Sequence, residues 1–419
     1  MSKLEELIQK LCPKGVEYKP LNNVVKSIST GLNPRKNFTL NIEGATNFYV
    51  TVKEITTGKI VFSDKTDKIT DEALDIIQDR SNLEFGDVLL SGIGTIGKVA
   101  LVDIPIGNWN CSESVFLIKP KNDVITSAFL AHILGSKNVQ KFFQGKARGS
   151  TLKGIRQQDL KQLKIPVPPI EVQEEIVRIL DKFTELSAEL SAELSARKKQ
   201  YEFYRDELLN FSDRKDIKFL PVSELFEFKN GLNKGKEFFG KGIPIVNFTD
   251  VFKNRWLTKE MLKGRVTLSP AEIERYSAKK GDVFFTRTSE TQEEIGMTSV
   301  LLEDIENCVF SGFVLRARPK TKLLLPKFCS YYFSAAHIRK QIIKNSTFTT
   351  RALTSGPKLS KILVPILSFE EQLRLTTILD NFHSLVTDIS EGLPAEIEAR
   401  QKQYEYYRDK LLTFEEIAQ

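Results

Sequence analysis

A chain of 419 residues is too long to close around one core, so two or three domains are expected. The apolar share of 41% and the 28 phenylalanines exclude wholesale disorder. Cys12, Cys111, Cys308 and Cys329 stand far apart with no C-x-x-C pair, which gives no sign of a disulfide framework or a zinc site. The opening segment MSKLEELIQK is amphipathic and charged, unlike a signal peptide. No apolar run approaches the roughly 18–20 residues needed to span a bilayer, so a soluble cytoplasmic chain with no membrane partner is expected. Net charge is +7, unevenly spread. Residues 1–170 hold 23 Lys/Arg against 17 Asp/Glu, and residues 214–363 hold 27 against 15. Residues 171–213 hold 6 against 11, and 364–419 hold 5 against 11. Two basic blocks alternate with two acidic segments, and a polyanion would meet the blocks and avoid the segments.

In chain order, the first block carries short strand-like runs at 48–52, 87–90, 99–102 and 114–118, punctuated by glycines and polar turns. An amphipathic helical run over 127–143 follows, then the extended IPVPP from Ile165. Pro168-Pro169 suits a helix start and not a helix interior. Apolar or aromatic residues then recur at Ile176, Leu180, Phe183, Leu186, Leu190, Leu194, Tyr201, Tyr204, Leu208 and Phe211, the stripe of a helix lying along another helix. Over 171–211 it would be roughly 60 Å long. Within it, TELSAELSAELS repeats a tetrapeptide in tandem. One four-residue unit changes helix length by about 6 Å, roughly one turn, while nearly preserving the facing side, so the run reads either as helix-forming filler or as an adjustable ruler. The second block has its own helical run at 326–343, then VPILS and a second striped helix through Leu373, Ile378, Phe382, Leu385, Ile389, Ile397, Tyr404, Tyr407 and Leu411. Gly392 and Pro394 should kink or interrupt it.

The two halves are copies of one unit of about 200 residues. IPVPPIEVQEEIVRILDKF from Ile165 answers VPILSFEEQLRLTTILDNF from Val364, with Pro166, Gln173, Asp181 and Phe183 matched by Pro365, Gln372, Asp380 and Phe382. ARKKQYEFYRDELLNF from Ala196 answers ARQKQYEYYRDKLLTF from Ala399. Weaker echoes pair Tyr18-Lys19-Pro20 with Phe219-Leu220-Pro221, Gly31-Leu32-Asn33 with Gly231-Leu232-Asn233, and Gly86-Asp87-Val88 with Gly281-Asp282-Val283. The expected fold is α+β, with two pseudo-repeated mixed α/β domains separated by two long antiparallel helices forming a coiled coil. The divisions are 1–170, 171–213, 214–368 and 369–419.

Catalytic motifs fail on inspection. The run from Gly92 to Lys98, GIGTIGK, satisfies both G-x-G-x-x-G and G-x-x-x-x-G-K. A phosphate loop, however, needs a following helix and a Ser or Thr after the lysine. Here Val99-Ala100-Leu101-Val102 follows, which reads as a strand, so the glycines mark a tight hairpin. His132, His337 and His383 stand apart from any second ligand or nucleophile, Glu227-Phe228-Lys229 lacks an acidic partner for a nuclease, and no Asn/Asp-Pro-Pro-aromatic methyltransferase loop is present. A non-catalytic protein with no metal and no cofactor of its own is expected.

What remains are basic residues in loops, interleaved with glycine, serine and aromatics. Arg35, Lys36, Lys146, Arg148 and Lys153 in the first block, and Lys234, Lys236, Arg255, Arg287 and Arg351 in the second, suit phosphate neutralisation or reading of base edges. A two-module scaffold that binds proteins is the rival reading, and a nucleotide-binding enzyme is a more distant one.

The start GVEYKPL, the hairpin GDVLLSGIGTIGKVALV, GSTLKGI leading into IPVPPIEVQEEIVRILDKF, and the two K/Q-Q-Y-E-x-Y-R-D helices together resemble the specificity subunits of type I restriction–modification systems over nearly the whole chain. The second copy departs from the pattern in its loop TRTSETQEEIG and in SFEEQLRL. The resemblance implies two target-recognition domains, each reading one half of a split site in double-stranded DNA. It also implies two methyltransferase subunits docked around the helices, and motor–nuclease restriction subunits in the full complex. S-adenosylmethionine and ATP would be bound by those partners. The repeated helices suit two identical partners, and the docking candidates are Lys199, Tyr201, Tyr204 and Arg205 with Lys402, Tyr404, Tyr407 and Arg408. The alternative is that these tyrosines are buried between helices.

Overall fold

The computed structural model describes residues 2–56, 58–149, 153–387 and 392–417. Residues 150–152 and 389, which fall within stretches read above, lie outside that set, as does the side chain of Lys36. The chain forms two compact units, one of Met1–Leu190 with Ile397–Gln419 and the other of Ser191–Glu396. The division falls inside the helix Ile170–Leu208, within the tetrapeptide run.

In the first unit four antiparallel strands lie in the order Val25–Thr30, Val115–Pro120, Val88–Ser91, Val99–Leu101. Alternate side chains of a strand point to opposite faces, and both faces here are covered. Val88, Leu90, Phe116 and Ile118 pack with Phe129, Leu130 and Ile133 of the helix Ser127–Gly135. Leu89, Leu117 and Ala100 pack instead with Val50, Ile55 and Trp109, beneath a small sheet of Asn47–Val50, Lys68–Ile69 and Trp109–Cys111. Burial on both faces explains why these strands read as continuous apolar runs rather than alternating ones.

The second unit repeats the plan with five strands in the order Phe226–Asn230, Val314–Pro319, Val283–Thr286, Thr298–Leu301, Trp256–Leu257. The last pair runs parallel. Val283, Phe285 and Leu315 face one cluster, and Phe284 and Val314 the other.

The sequence echoes are explained by specific contacts. Tyr18 pairs across an antiparallel ladder with Pro166, and Phe219 with Pro365, so the opening motif and the extended IPVP or LVPI are two strands of one ribbon. Gln173 is fully buried. Its oxygen accepts from the Thr126 amide at 2.9 Å, and its nitrogen donates to the Val124 and Pro168 carbonyls. Gln372 does the same with Leu325, Leu323 and Leu367. Each glutamine satisfies three backbone groups, any of which would cost about 1–3 kcal/mol if buried unpaired. Asp87 accepts from the Glu84 amide and from Lys119 Nζ at 2.9 Å, and Asp282 from the Lys279 amide and Arg318. Burial pushes the Asp87 carboxyl above its ordinary value, against the pull of these donors.

Two expected helices are interrupted. The run 127–143 is two helices, Ser127–Gly135 and Lys137–Lys146, and 326–343 is Pro326–Tyr332 and Ala336–Lys344. The reason lies in the repeated Y-R-D motif. The Lys137 amide donates to Asp409, and the Ala336 amide to Asp206, both at 2.9 Å. A carboxylate at a helix N-terminus satisfies an orphan donor and opposes the helix dipole. The second striped helix is also divided, into Phe369–Thr387 and Leu393–Leu411, with Pro394 in the first turn of the latter.

One cluster in the second unit makes stability depend on pH. The ring of His383 meets Trp256 edge-on at 5.2 Å and lies 5.8 Å from Tyr201. Burial, then the neighbouring Arg255, lowers its pKa to about 4, with Asp380 opposing. The folded state thus favours the neutral ring. As pH falls through about 6.5, the unfolded chain takes up the proton first, so stability is full above that value and declines toward pH 4. Thermal melts across pH 4–7 should show this decline, and His383→Gln should flatten it. An equally steep decline in the variant would place its origin elsewhere.

Candidate nucleic-acid interface

The basic loops converge. In the first unit, segments 31–37, 92–97 and 111–114 and the loop flanking residues 150–152 meet at one end of the main sheet, where Thr30 faces Phe116 and Ser91 faces Val115. A Cβ on Gly31 would run into the Cys111 carbonyl, which is why glycine stands there. The Asn33 side chain donates to the Glu113 carboxylate. The Gly92 amide donates to the Ser114 carbonyl, and the Gly92 carbonyl accepts from the Ile155 amide. The Gly94 amide donates to the Lys153 carbonyl, and Arg148 and Gly154 exchange two backbone bonds. The Gly92–Gly97 turn is a hairpin between antiparallel strands, and Gly97 takes the left-handed φ of +90° that favours glycine. Its carbonyl accepts from Gln140 at 2.8 Å.

The second unit repeats this plan with other residues. A Cβ on Gly231 would meet the Ser311 carbonyl. The Arg287 amide donates to the Phe313 carbonyl, and the Thr354 amide donates to the Arg287 carbonyl, both at 3.0 Å. Thr288–Ser289 pairs with Ala352–Leu353, which pairs with Thr347–Phe348. The Gly296 carbonyl accepts from Arg339 at 2.7 Å. Backbone bonds thus fix the loops in both units while leaving side chains at their tips free to differ.

The candidate side chains divide into two groups. Arg35, Arg148 and Lys153 are exposed at the first tip, and Lys146 is half-buried with its ammonium over Phe142 at 5.8 Å. Arg35 sits in an irregular turn, with φ 11° and ψ −86°. Lys236 and Arg351 are exposed in the second unit, and Arg287 is half-buried at its tip. Lys234 departs from expectation, being tied to Glu272 at 2.8 Å and stacked on Phe238 at 4.2 Å. Arg255 departs from the exposed loop position expected of it and is half-buried. The strand Trp256–Leu257 pairs with Thr298–Leu301 and draws Arg255 inward, where its guanidinium lies over Tyr331 at 4.8 Å and Tyr201 at 5.8 Å. Its Nε and Nη1 are buried without a hydrogen-bond partner among the described residues.

The helical candidates are likewise only partly available. Tyr201 is buried, and Tyr404 packs into the first core while its hydroxyl meets His132 at 3.3 Å. Arg205 and Arg408 bind Asp206 and Asp409, holding the carboxylates that cap helices Ala336–Lys344 and Lys137–Lys146. These four make contacts within their own units, which accords with the alternative reading of the tyrosines. Tyr407 stacks on Phe183 at 5.4 Å and Tyr204 on Phe382 at 5.8 Å, though Tyr204 remains partly exposed. Lys199 and Lys402 are exposed, Lys402 paired with Glu398. Sequence reasoning missed the intervening positions, Phe203 at 60% and Tyr406 at 62% exposure. They are matched by the repeat, and their aromatic character was the available signal.

Comparison with known proteins decides the family. The pattern described as "Type I restriction modification DNA specificity domain" matches residues 13–197 and again 214–399. The chain belongs to the type I restriction–modification specificity family. A Haemophilus influenzae chain assigned as a type I restriction enzyme specificity subunit is 30% identical over 95% of this chain and 96% of its own length. The specificity subunit of the Escherichia coli enzymes EcoR124I/EcoR124II is 32% identical over 60% of this chain and 64% of its own. A chain from a structure titled for complex assembly and conformational transition of the type I R-M system shares the fold. It has TM-score 0.62 and 18% identity, covering 96% of this chain and 98% of that one. This specificity subunit therefore carries two recognition domains in one α+β chain.

Proposed function

We propose that this specificity subunit reads a split, asymmetric site in double-stranded DNA, each recognition domain taking one half. The supporting observation is the convergence of Arg35, Arg148 and Lys153 in one unit, and of Arg287 and Arg351 in the other, at the same end of the main sheet. The two tips share a backbone plan and differ in side chains, which suits two different half-sites. The finer division into recognition domains 1–170 and 214–368 and spacer helices 171–213 and 369–419 belongs to the same proposal. So do an antiparallel coiled-coil pairing of those helices, which sets the spacer, and the docking of two methyltransferase subunits, with restriction subunits joining them. S-adenosylmethionine and ATP belong to those partners, and the chemistry is theirs.

Base-resolved mapping of methylated adenines, with the methyltransferase partner supplied and with or without this chain, tests the reading. One split motif that disappears with the chain supports it, and an unchanged pattern refutes it. Arg148→Ala with Lys153→Ala should weaken duplex binding and lower the slope of log affinity against log salt by about two, at roughly 0.9 per lost phosphate contact. An unaltered slope would mean that this loop faces away from the duplex.

A further inference from the structure

We infer that Arg287 and Phe313 form a two-residue reading element of the second recognition domain, and that it takes a thymine–guanine step in the major groove. The inference rests on the DNA reading proposed above. The antiparallel register between Val283–Thr286 and Val314–Pro319 ends at Thr286 opposite Val314, both fully buried. One step further, Arg287 faces Phe313 and donates its amide to the Phe313 carbonyl. Facing residues of an antiparallel pair project from the same face, and alternation puts this pair on the side of Phe285 and Leu315, one step past the last paired residues, where the core no longer covers it. Phe313 is 64% exposed. Among the described residues the Arg287 guanidinium has no hydrogen-bond or ion-pair partner.

A large exposed ring beside an unpaired guanidinium is poorly matched to water and well matched to a groove. Single exposed apolar residues are ordinary, but this one is not single. Phe348 and Leu353 are also exposed, on the hairpin whose strand Ala352–Leu353 pairs with Thr288–Ser289. Apolar and cationic side chains thus share one backbone-bonded tip. In the major groove a guanidinium matches the O6 and N7 of guanine bidentately, and an apolar side chain matches the 5-methyl of thymine. The first domain holds the same backbone bond between Gly92 and Ser114, so there the two positions carry a hydrogen atom and a hydroxymethyl group. One scaffold position therefore discriminates the two half-sites.

The test uses the full chain with its methyltransferase partner. Methylation mapping of the unaltered protein should show a thymine next to a guanine in one half-site. Arg287→Gln should relax the guanine, with binding weakened roughly ten- to a hundredfold, and Phe313→Ser should relax the thymine alone. Phe313→Leu, which keeps an apolar group, should retain the thymine, and the other half-site should not change. Replacing that thymine by uracil in a duplex removes one methyl group and should weaken binding of the unaltered protein about fourfold, but not that of Phe313→Ser. A split motif without this step, a motif unchanged in both variants, or indifference to uracil overturns the inference and leaves the DNA reading standing. Absence of any split motif with the unaltered protein overturns both.

Discussion

Deleting residues 187–190 is expected to shorten the unread gap between the two half-sites while leaving both half-sites as they were. The deleted tetrapeptide is one of the tandem units in a helix that runs unbroken from Ile170 to Leu208. Its removal shortens that helix by about 6 Å, against about 3.4 Å per base pair of DNA, so the spacer should contract by one or two base pairs. Four residues turn a helix by about 400°, which returns the facing side to within about 40° of its start. The surroundings permit the change. Leu186 is exposed and Leu190 half-buried, and neither belongs to a hydrophobic core. The boundary between the compact units falls between Leu190 and Ser191. A deletion there removes little buried surface from either unit, so the melting temperature should hardly move. Methylation mapping of the deletion variant reads the spacer directly, and an unchanged spacer would leave the tetrapeptides as filler.

The legibility of the sequence follows from where its constraints lie. The repeat was visible because Gln173 and Gln372, and Asp206 and Asp409, must each satisfy the same backbone groups in both units. No other side chain of similar size offers the two donors and one acceptor that the glutamines use. The hairpin at Gly92–Lys98 was legible for a related reason, since β-branched Val99 after the lysine favours a strand over a phosphate-binding helix. The inward turn of Arg255 was not legible because it depends on the partner of the next strand. The pairing of Trp256–Leu257 with Thr298–Leu301 is a tertiary event that local sequence does not display. The Y-E-x-Y-R-D helices left two readings open, an external docking surface and an internal contact. Their repetition signalled importance, but Tyr201, Arg205, Tyr404 and Arg408 are repeated because each unit needs the same internal junction. Repetition alone does not separate an internal contact from an external one. Exposure is the added criterion, and by it Phe203 and Tyr406 are the most exposed rings of the two motifs.

Phe203→Glu and Tyr406→Glu should each remove one of two methyltransferase subunits from the complex, and the double variant should remove both. Each ring stands exposed on a helix, at matched positions of the repeat. A partner that recognises one should recognise the other with the same surface. Aromatic anchors at the centre of an interface commonly cost 2 kcal/mol or more when truncated, about thirtyfold in affinity, and a buried carboxylate in place of the ring adds a desolvation penalty. Glutamate is a good helix former and neither ring is part of a core cluster, so both variants should melt near the unaltered protein. Native mass spectrometry at a free partner concentration about fivefold above the unaltered dissociation constant would read predominantly two, one and zero bound subunits. Two bound subunits in every variant would move the docking surface away from these rings and toward the exposed lysines Lys199 and Lys402. Tyr201 and Tyr404 make the contrasting control, since they contribute to the cores. Substituting them should lower the melting temperature before it changes stoichiometry, and that order of effects distinguishes a residue that meets the partner from one that holds the helix.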